Sequence, residues 1–176
     1  YAGRLYEGRD DQKALQLTRQ ATSIAQKTEA PEALYRWQRH TGKLLKALGR
    51  TDEAIAAYRR SIYTLKSIRQ EMDNCIGDSS ATFREIAGSI SFELVDLLLK
   101  QAPAETNHEQ RAQLLIEARD LVELLRAYEL RNFFKDDCLD AARASNVSLD
   151  TLSQTAAVIY PIVLPDRTEL LVSLPT

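Results

Sequence analysis

Five side chains offer chemistry at a spacing that brings them together: Arg36, Arg39, His40, Lys43 and Lys46. They fall at i, i+3, i+4, i+7 and i+10, the spacing of one face of an α-helix. No Asp or Glu occurs from Arg36 to Arg50. Guanidinium and ammonium groups in such a row can donate charge-assisted hydrogen bonds to the carboxylates of an acidic partner. That use implies that charge reversal at Arg39 and Lys43 weakens partner binding and leaves the melting temperature unchanged. The same row also suits a plain solvated helix face, neutralised by the acidic segment around Asp136 and Asp137.

The remaining reactive residue types point away from catalysis. Cys75 and Cys138 stand beside Asp73 and beside Asp136 and Asp137. Neighbouring carboxylates raise a thiol pKa, which works against the thiolate that a nucleophile requires. His40 and His108 have no partner nearby in sequence, and neither a C-x-x-C nor an H-E-x-x-H spacing is present. A Gly-rich phosphate loop is missing too. The expectation is structural or solvent-facing roles for these four, no metal and no cofactor.

Composition narrows the class. The 176 residues are 44% hydrophobic and 27% charged, with a formal net charge of −2. That length suits one domain, or one and part of another. Six Gly, five Pro and two Cys exclude collagen-like, low-complexity and disulfide-framework chains. The charge argues against a general nucleic-acid partner. No apolar run is long enough to span a bilayer, so no membrane partner is expected. Two cysteines without an evident pairing fit a reducing, cytoplasmic compartment. The chain starts at Tyr1 and shows no signal peptide, and it reads as a piece of a longer protein.

The elements that must position the basic row are helices. Pro31 and Pro103 are the only prolines before Pro161, and helix interiors tolerate proline poorly. One helix is expected over Glu32–Leu48. After a Gly49-Arg50-Thr51 turn, a second runs to about Met72, with Thr51 as N-cap and Asp52 and Glu53 in its first turn. Ala54, Tyr58, Ser61 and Leu65 recur on one face of that second helix. A third helix, Asp78–Lys100, presents Phe83, Ile86, Ile90, Leu94 and Leu97. After a loop containing Pro103, Asn107 caps a fourth, with Gln110 completing the capping pattern. Its stripe is Leu114, Ala118, Leu121, Leu125 and Tyr128. A short helix over Leu130–Arg143 follows, carrying Phe133, Phe134 and Leu139.

The Pro31–Met72 unit resembles a tetratricopeptide repeat. Gly42 falls on the small position of its first helix and Leu45 on the large apolar one. Ala54 takes the small position of the second helix and Tyr58 the aromatic one. Gln38 stands where the family has Trp, with Trp37 one residue earlier, and Lys66 stands where it has Pro. An upstream echo, Leu5 to Ala14, puts Gly8 forty-one residues before Gly49, longer than the usual period of about 34. The resemblance implies a superhelix of long antiparallel helix pairs. It also places the basic row in the concave groove, where the family holds extended peptides.

The tail changes character. Val158 to Leu164 and Leu170 to Leu174 read as two strands joined by Pro165-Asp166-Arg167, a hairpin. Their faces are apolar on both sides, as in a sheet covered on both faces. The run from Leu125 to Cys138 and the segment from Ala157 to Arg167 resemble the entry to a CHAT domain, a caspase-like module that follows tetratricopeptide repeats. That family uses a His/Cys dyad, which lies in segments this chain does not contain, so no catalytic residue is carried over.

The resulting expectation is an all-α helical-repeat domain over 1–143, a linker over 144–155, and a β-hairpin over 156–176 that begins a CHAT-like domain. Its function would be protein–protein interaction, with a protein or peptide partner or its own CHAT domain, and this chain itself would not be an enzyme. The alternative is the regulatory arm of a caspase-like cysteine peptidase; a third reading is a plain structural scaffold. The hairpin's open edges and apolar faces would favour a homodimer by strand pairing.

Overall fold

Acids at several helix starts and bases at several helix ends, the arrangement the helix dipole favours, mark elements of the computed structural model. It describes residues 11–73, 80–134 and 157–174, with side chains for 11–68, 85–126 and 157–174. The chain is mostly helical and ends in a two-stranded antiparallel sheet. It divides into two compact units, Tyr1–Gln101 and Ala102–Thr176.

Among the described residues, the first unit holds four helices. α1 (Asp11–Lys27) has Asp11 in its first turn and Lys27 in its last. α2 (Pro31–Ala47) opens on Pro31, whose missing N–H costs nothing at a helix start. α3 (Thr51–Asp73) opens on Asp52 and Glu53. α4 (Ser80–Gln101) closes on Lys100. Each helix packs on the next in sequence. The Arg50 carbonyl accepts from the Ala54 N–H at 3.0 Å, so Arg50 rather than Thr51 holds the cap position of α3.

The α1–α2 and α2–α3 turns are built alike. In the first, the Ala30 N–H donates to the Ala25 carbonyl at 3.0 Å; in the second, Arg50 N–H donates to Leu45 at 2.9 Å. Both wrap the helix end around one residue in the left-handed region: Glu29 at φ 50° and Gly49 at φ 72°. Only glycine adopts that conformation without strain. Buried positions also repeat: Ala14, Leu15 and Thr18 on α1 stand forty residues before Ala54, Ile55 and Tyr58 on α3. That interval is one residue shorter than the Gly8–Gly49 spacing, and Gly8 lies outside the described residues.

Between α2 and α3 the backbones approach at Gly42. A Cβ there would stand 2.8 Å from Cε2 of Tyr58. Tyr58 is fully buried, with Leu44, Leu45, Ala54 and Ser61 around the same seam. Polar groups in the seam are matched rather than stranded, as burial demands. Ser61 donates to the Tyr35 carbonyl at 2.8 Å, and Thr64 donates to Gln38 Oε1 at 2.9 Å. Gln38 therefore joins the core by hydrogen bonding.

On α4, Ile90, Leu94 and Leu97 are buried as their spacing implies, but so are Val95, Leu98 and Leu99. Its C-terminal half is apolar around most of its circumference, a pattern of full rather than one-sided burial.

The second unit begins with a 3₁₀ turn (Ala102–Ala104) and α5 (His108–Phe134). Asn107 Oδ1 accepts from the N–H groups of Glu109 and Gln110 at 2.9 and 3.3 Å, capping the helix as the sequence implies. α5 continues through Leu130 to Phe134, so no separate helix starts at Leu130. Among its described side chains, Ala118, Val122 and Leu125 are buried; Leu114 and Leu121 are half-buried. The side chains of Phe83, Tyr128, Phe133 and Phe134, and all of Leu139 and the 144–155 segment, lie outside those described.

The hairpin pairs β1 (Val158–Val163) with β2 (Thr168–Ser173), with Tyr160 opposite Leu171 and Ile162 opposite Glu169. Tyr160, Ile162 and Leu164 are buried, and β1 packs on α5. On the other face Ile159, Val163, Leu170 and Val172 are all more than half exposed, and none of the described residues covers them. The apolar pattern on both faces suggests a sheet enclosed on two sides; α5 covers one of them.

Candidate functional site

The basic row lies along α2 and meets a second charged row on α4. Glu93, Asp96 and Lys100 recur there at i, i+3 and i+7, one face of that helix. Arg39 donates to both oxygens of Glu93, Nη2 at 2.5 Å from Oε1 and Nε at 3.2 Å from Oε2. The same guanidinium reaches the Ser89 hydroxyl. Lys43 Nζ stands 3.5 Å from Glu93. Lys46 Nζ and Lys100 Nζ both bind Asp96, at 3.0 and 2.9 Å.

Tyr58 adds a third helix to this cluster. The gap at Gly42 lets its ring lie against α2, and its phenol hydrogen-bonds Glu93. Burial pushes the Tyr58 phenol far above its ordinary range, and the Glu93 charge pushes it further. Burial also works to raise the Glu93 carboxyl. The hydrogen bond and charge of Arg39, with help from Lys43 and Tyr58, outweigh it and hold Glu93 below its ordinary value. The Glu93 hydrogen bond in turn raises Arg39. This forked, partly dry pair is a structural element as much as a surface one.

The row is therefore split. Arg39 is one-quarter exposed, as is Glu93, and the two hold α2 to α4. Lys43, Lys46 and Lys100 keep 45%, 42% and 52% of their side-chain surface in solvent. Arg36 is exposed and donates to the Tyr35 hydroxyl at 3.1 Å. His40 is buried, its ring edge-on to Trp37 at 6.0 Å between centroids, so it lies beneath the surface that the lysines occupy. Four cations, Arg39, Lys43, Lys46 and Lys100, thus face two carboxylates, and the ammonium groups retain donors that the pairs do not use.

Sequence spacing on α2 finds the cations but not the acids that face them. The visible signal is the matching period of Glu93, Asp96 and Lys100, about fifty residues away. Asp136 and Asp137, the acids expected to neutralise the row, lie outside the described residues, as do Cys75 and Cys138. His108 is exposed at the first position of α5. Among the described residues, no three His, Cys, Asp or Glu converge as metal ligands, and no helix is long and apolar enough to cross a membrane.

A second polar cluster fixes the hairpin. The Arg126 guanidinium lies 4.8 Å from the centre of the Tyr160 ring and donates to the Pro161 carbonyl at 3.0 Å. Glu123 accepts from the Tyr160 hydroxyl and pairs with Arg126 at 3.4 Å. Because the N and O of one strand residue point to the same side, Pro161 directs its missing N–H away from β2. The outer edge of β1 is thus blunted by a proline and occupied by Arg126.

No family model matches this chain, and no curated protein or solved structure matches it either.

Proposed function

We propose that this chain is a protein-interaction module of helical-repeat type, similar to tetratricopeptide repeats, and that the α2–α4 face binds an acidic peptide segment. The observation that carries the reading is the excess of solvent-facing ammonium groups at Lys43, Lys46 and Lys100 over the carboxylates beside them. Such a surface attracts anionic partners and offers them charge-assisted donors. The close approach at Gly42, the burial of Ala54 and Tyr58, and the matched turns support the repeat-like part of the reading.

In this reading the chain binds rather than catalyses. It belongs to the N-terminal part of a CHAT-type protein and works in a cytoplasmic setting. The hold of Arg126 and Glu123 on β1 favours one second reading, a regulatory arm that passes partner binding to a caspase-like peptidase domain. Strand pairing between two copies would use β2, since the β1 edge is blunted.

Selection from a random peptide library tests the proposal. The wild-type protein should enrich sequences rich in Asp and Glu, and Lys43→Glu/Lys46→Glu should lose that enrichment while still unfolding cooperatively, at a temperature lowered by the new carboxylates beside Glu93 and Asp96. Enrichment of sequences without acids, kept by the double variant, would overturn it. Arg39 is the wrong residue to reverse, because its bond to Glu93 makes it part of the fold.

A further inference from the structure

The arrangement around Asp96 has a functional consequence that rests on the acidic-peptide reading. One carboxylate, only 17% exposed, lies between Lys46 Nζ at 3.0 Å and Lys100 Nζ at 2.9 Å, and those two lysines come from different helices. Both lysines keep about half of their surface in solvent. A carboxylate arriving from a partner would seek the same donors that Asp96 already uses.

We propose that Asp96 is a built-in competitor for the partner's carboxylate, so that the α2–α4 face selects segments carrying several adjacent acids. A single incoming carboxylate gains little, because it shares two ammonium groups with a charge already in place. Several in a row reach Lys43 as well as Lys46 and Lys100 and outbid the internal pair collectively. Glu93 competes less for Lys43, at 3.5 Å, since Arg39 already grips it by both oxygens. A peptide is a better fit than a nucleic acid, because the two carboxylates on this face repel a continuous phosphate backbone and the whole chain is net negative.

Fluorescence anisotropy with labelled hexaglutamate and a labelled single-Glu alanine peptide, at low salt, tests this. Asp96→Asn should tighten hexaglutamate about threefold to fivefold and should narrow the preference for it over the single-Glu peptide, the size expected for removing one partly screened charge. Asp96→Ser, which removes the carboxylate outright, should act in the same direction and guards against a folding defect in either variant. If both variants bind hexaglutamate as the wild type does or more weakly, while Lys43→Glu/Lys46→Glu abolishes binding, the competitor role is wrong and the acidic-peptide reading stands. If neither wild type nor either Asp96 variant binds hexaglutamate, both fall. Tighter binding of a thymidine hexanucleotide than of hexaglutamate would overturn the choice of partner.

Discussion

The α2–α3 seam and the α5–hairpin junction hold their parts together by different means. In the seam, shape dominates: Gly42 removes a side chain so that the buried Tyr58 ring can fill the gap. At the junction, one face of a small sheet is buried and a polar set of Glu123, Arg126 and Tyr160 supplies the fixing contacts. A two-stranded sheet is marginal alone, so the junction depends on few contacts where the seam depends on many. Damage to the seam should therefore unfold the first unit, whereas damage to the junction should loosen the strands and leave the helices standing.

The largest expected effect is at Tyr58. Tyr58→Ala leaves a cavity beside Gly42 and strips the phenol from Glu93, and should cost about 3–5 kcal/mol in denaturant unfolding. Gly42→Ala attacks the same contact from the other side by overpacking and should cost about 1–3 kcal/mol. If Gly42→Ala proved neutral, the seam would be looser than its geometry implies.

At the junction, Arg126→Ala should leave the melting of the first unit unchanged and speed amide exchange selectively in β1 and β2. Uniform acceleration across the chain would mean that the two regions do not differ as described.

The Arg39–Glu93 pair adds a pH signature to the first unit. Its folded-state carboxyl lies below the ordinary value, so the pair contributes stability above the ordinary carboxylate range. That contribution fades as pH falls from that range through the depressed folded value. Glu93→Gln should lower neutral-pH stability by about 1–3 kcal/mol and flatten the acid limb of the stability curve. An unchanged acid limb would deny Glu93 this role.

The smallest effect should have the opposite sign. Glu29→Gly places at the α1–α2 turn the residue type that Gly49 already supplies at the α2–α3 turn, and should stabilise by about 1 kcal/mol. Equal or lower stability would show that the two turns are not equivalent.

Local rules carry much of this fold in plain sight. Pro31 at a helix start, Asn107 at a cap and Gly49 at a turn each express a backbone requirement that one residue reveals, and the α2 and α3 boundaries follow within a residue or two. The Gly42, Ala54 and Tyr58 pattern likewise marks the seam. What the sequence leaves hidden is pairing at a distance. Nothing local to Arg39 shows that Glu93 will hold it, since the partners come from different helices. Gln38 breaks the expected aromatic pattern, yet Thr64 satisfies it by a hydrogen bond that only the packed seam reveals. Glu29 is hidden for another reason: its turn copies that of Gly49 without the glycine. On α4, apolar residues on nearly every side give periodicity no single face to find.

The most direct test of the binding role is an anisotropy titration of labelled hexaglutamate against wild type and Lys43→Glu/Lys46→Glu, with thermal unfolding run in parallel. Saturable, salt-sensitive binding is predicted for the wild type and none for the double variant, with both unfolding cooperatively and the double variant at a lower temperature, because its new carboxylates stand beside Glu93 and Asp96. Equal binding by both proteins, or none by the wild type, would contradict it.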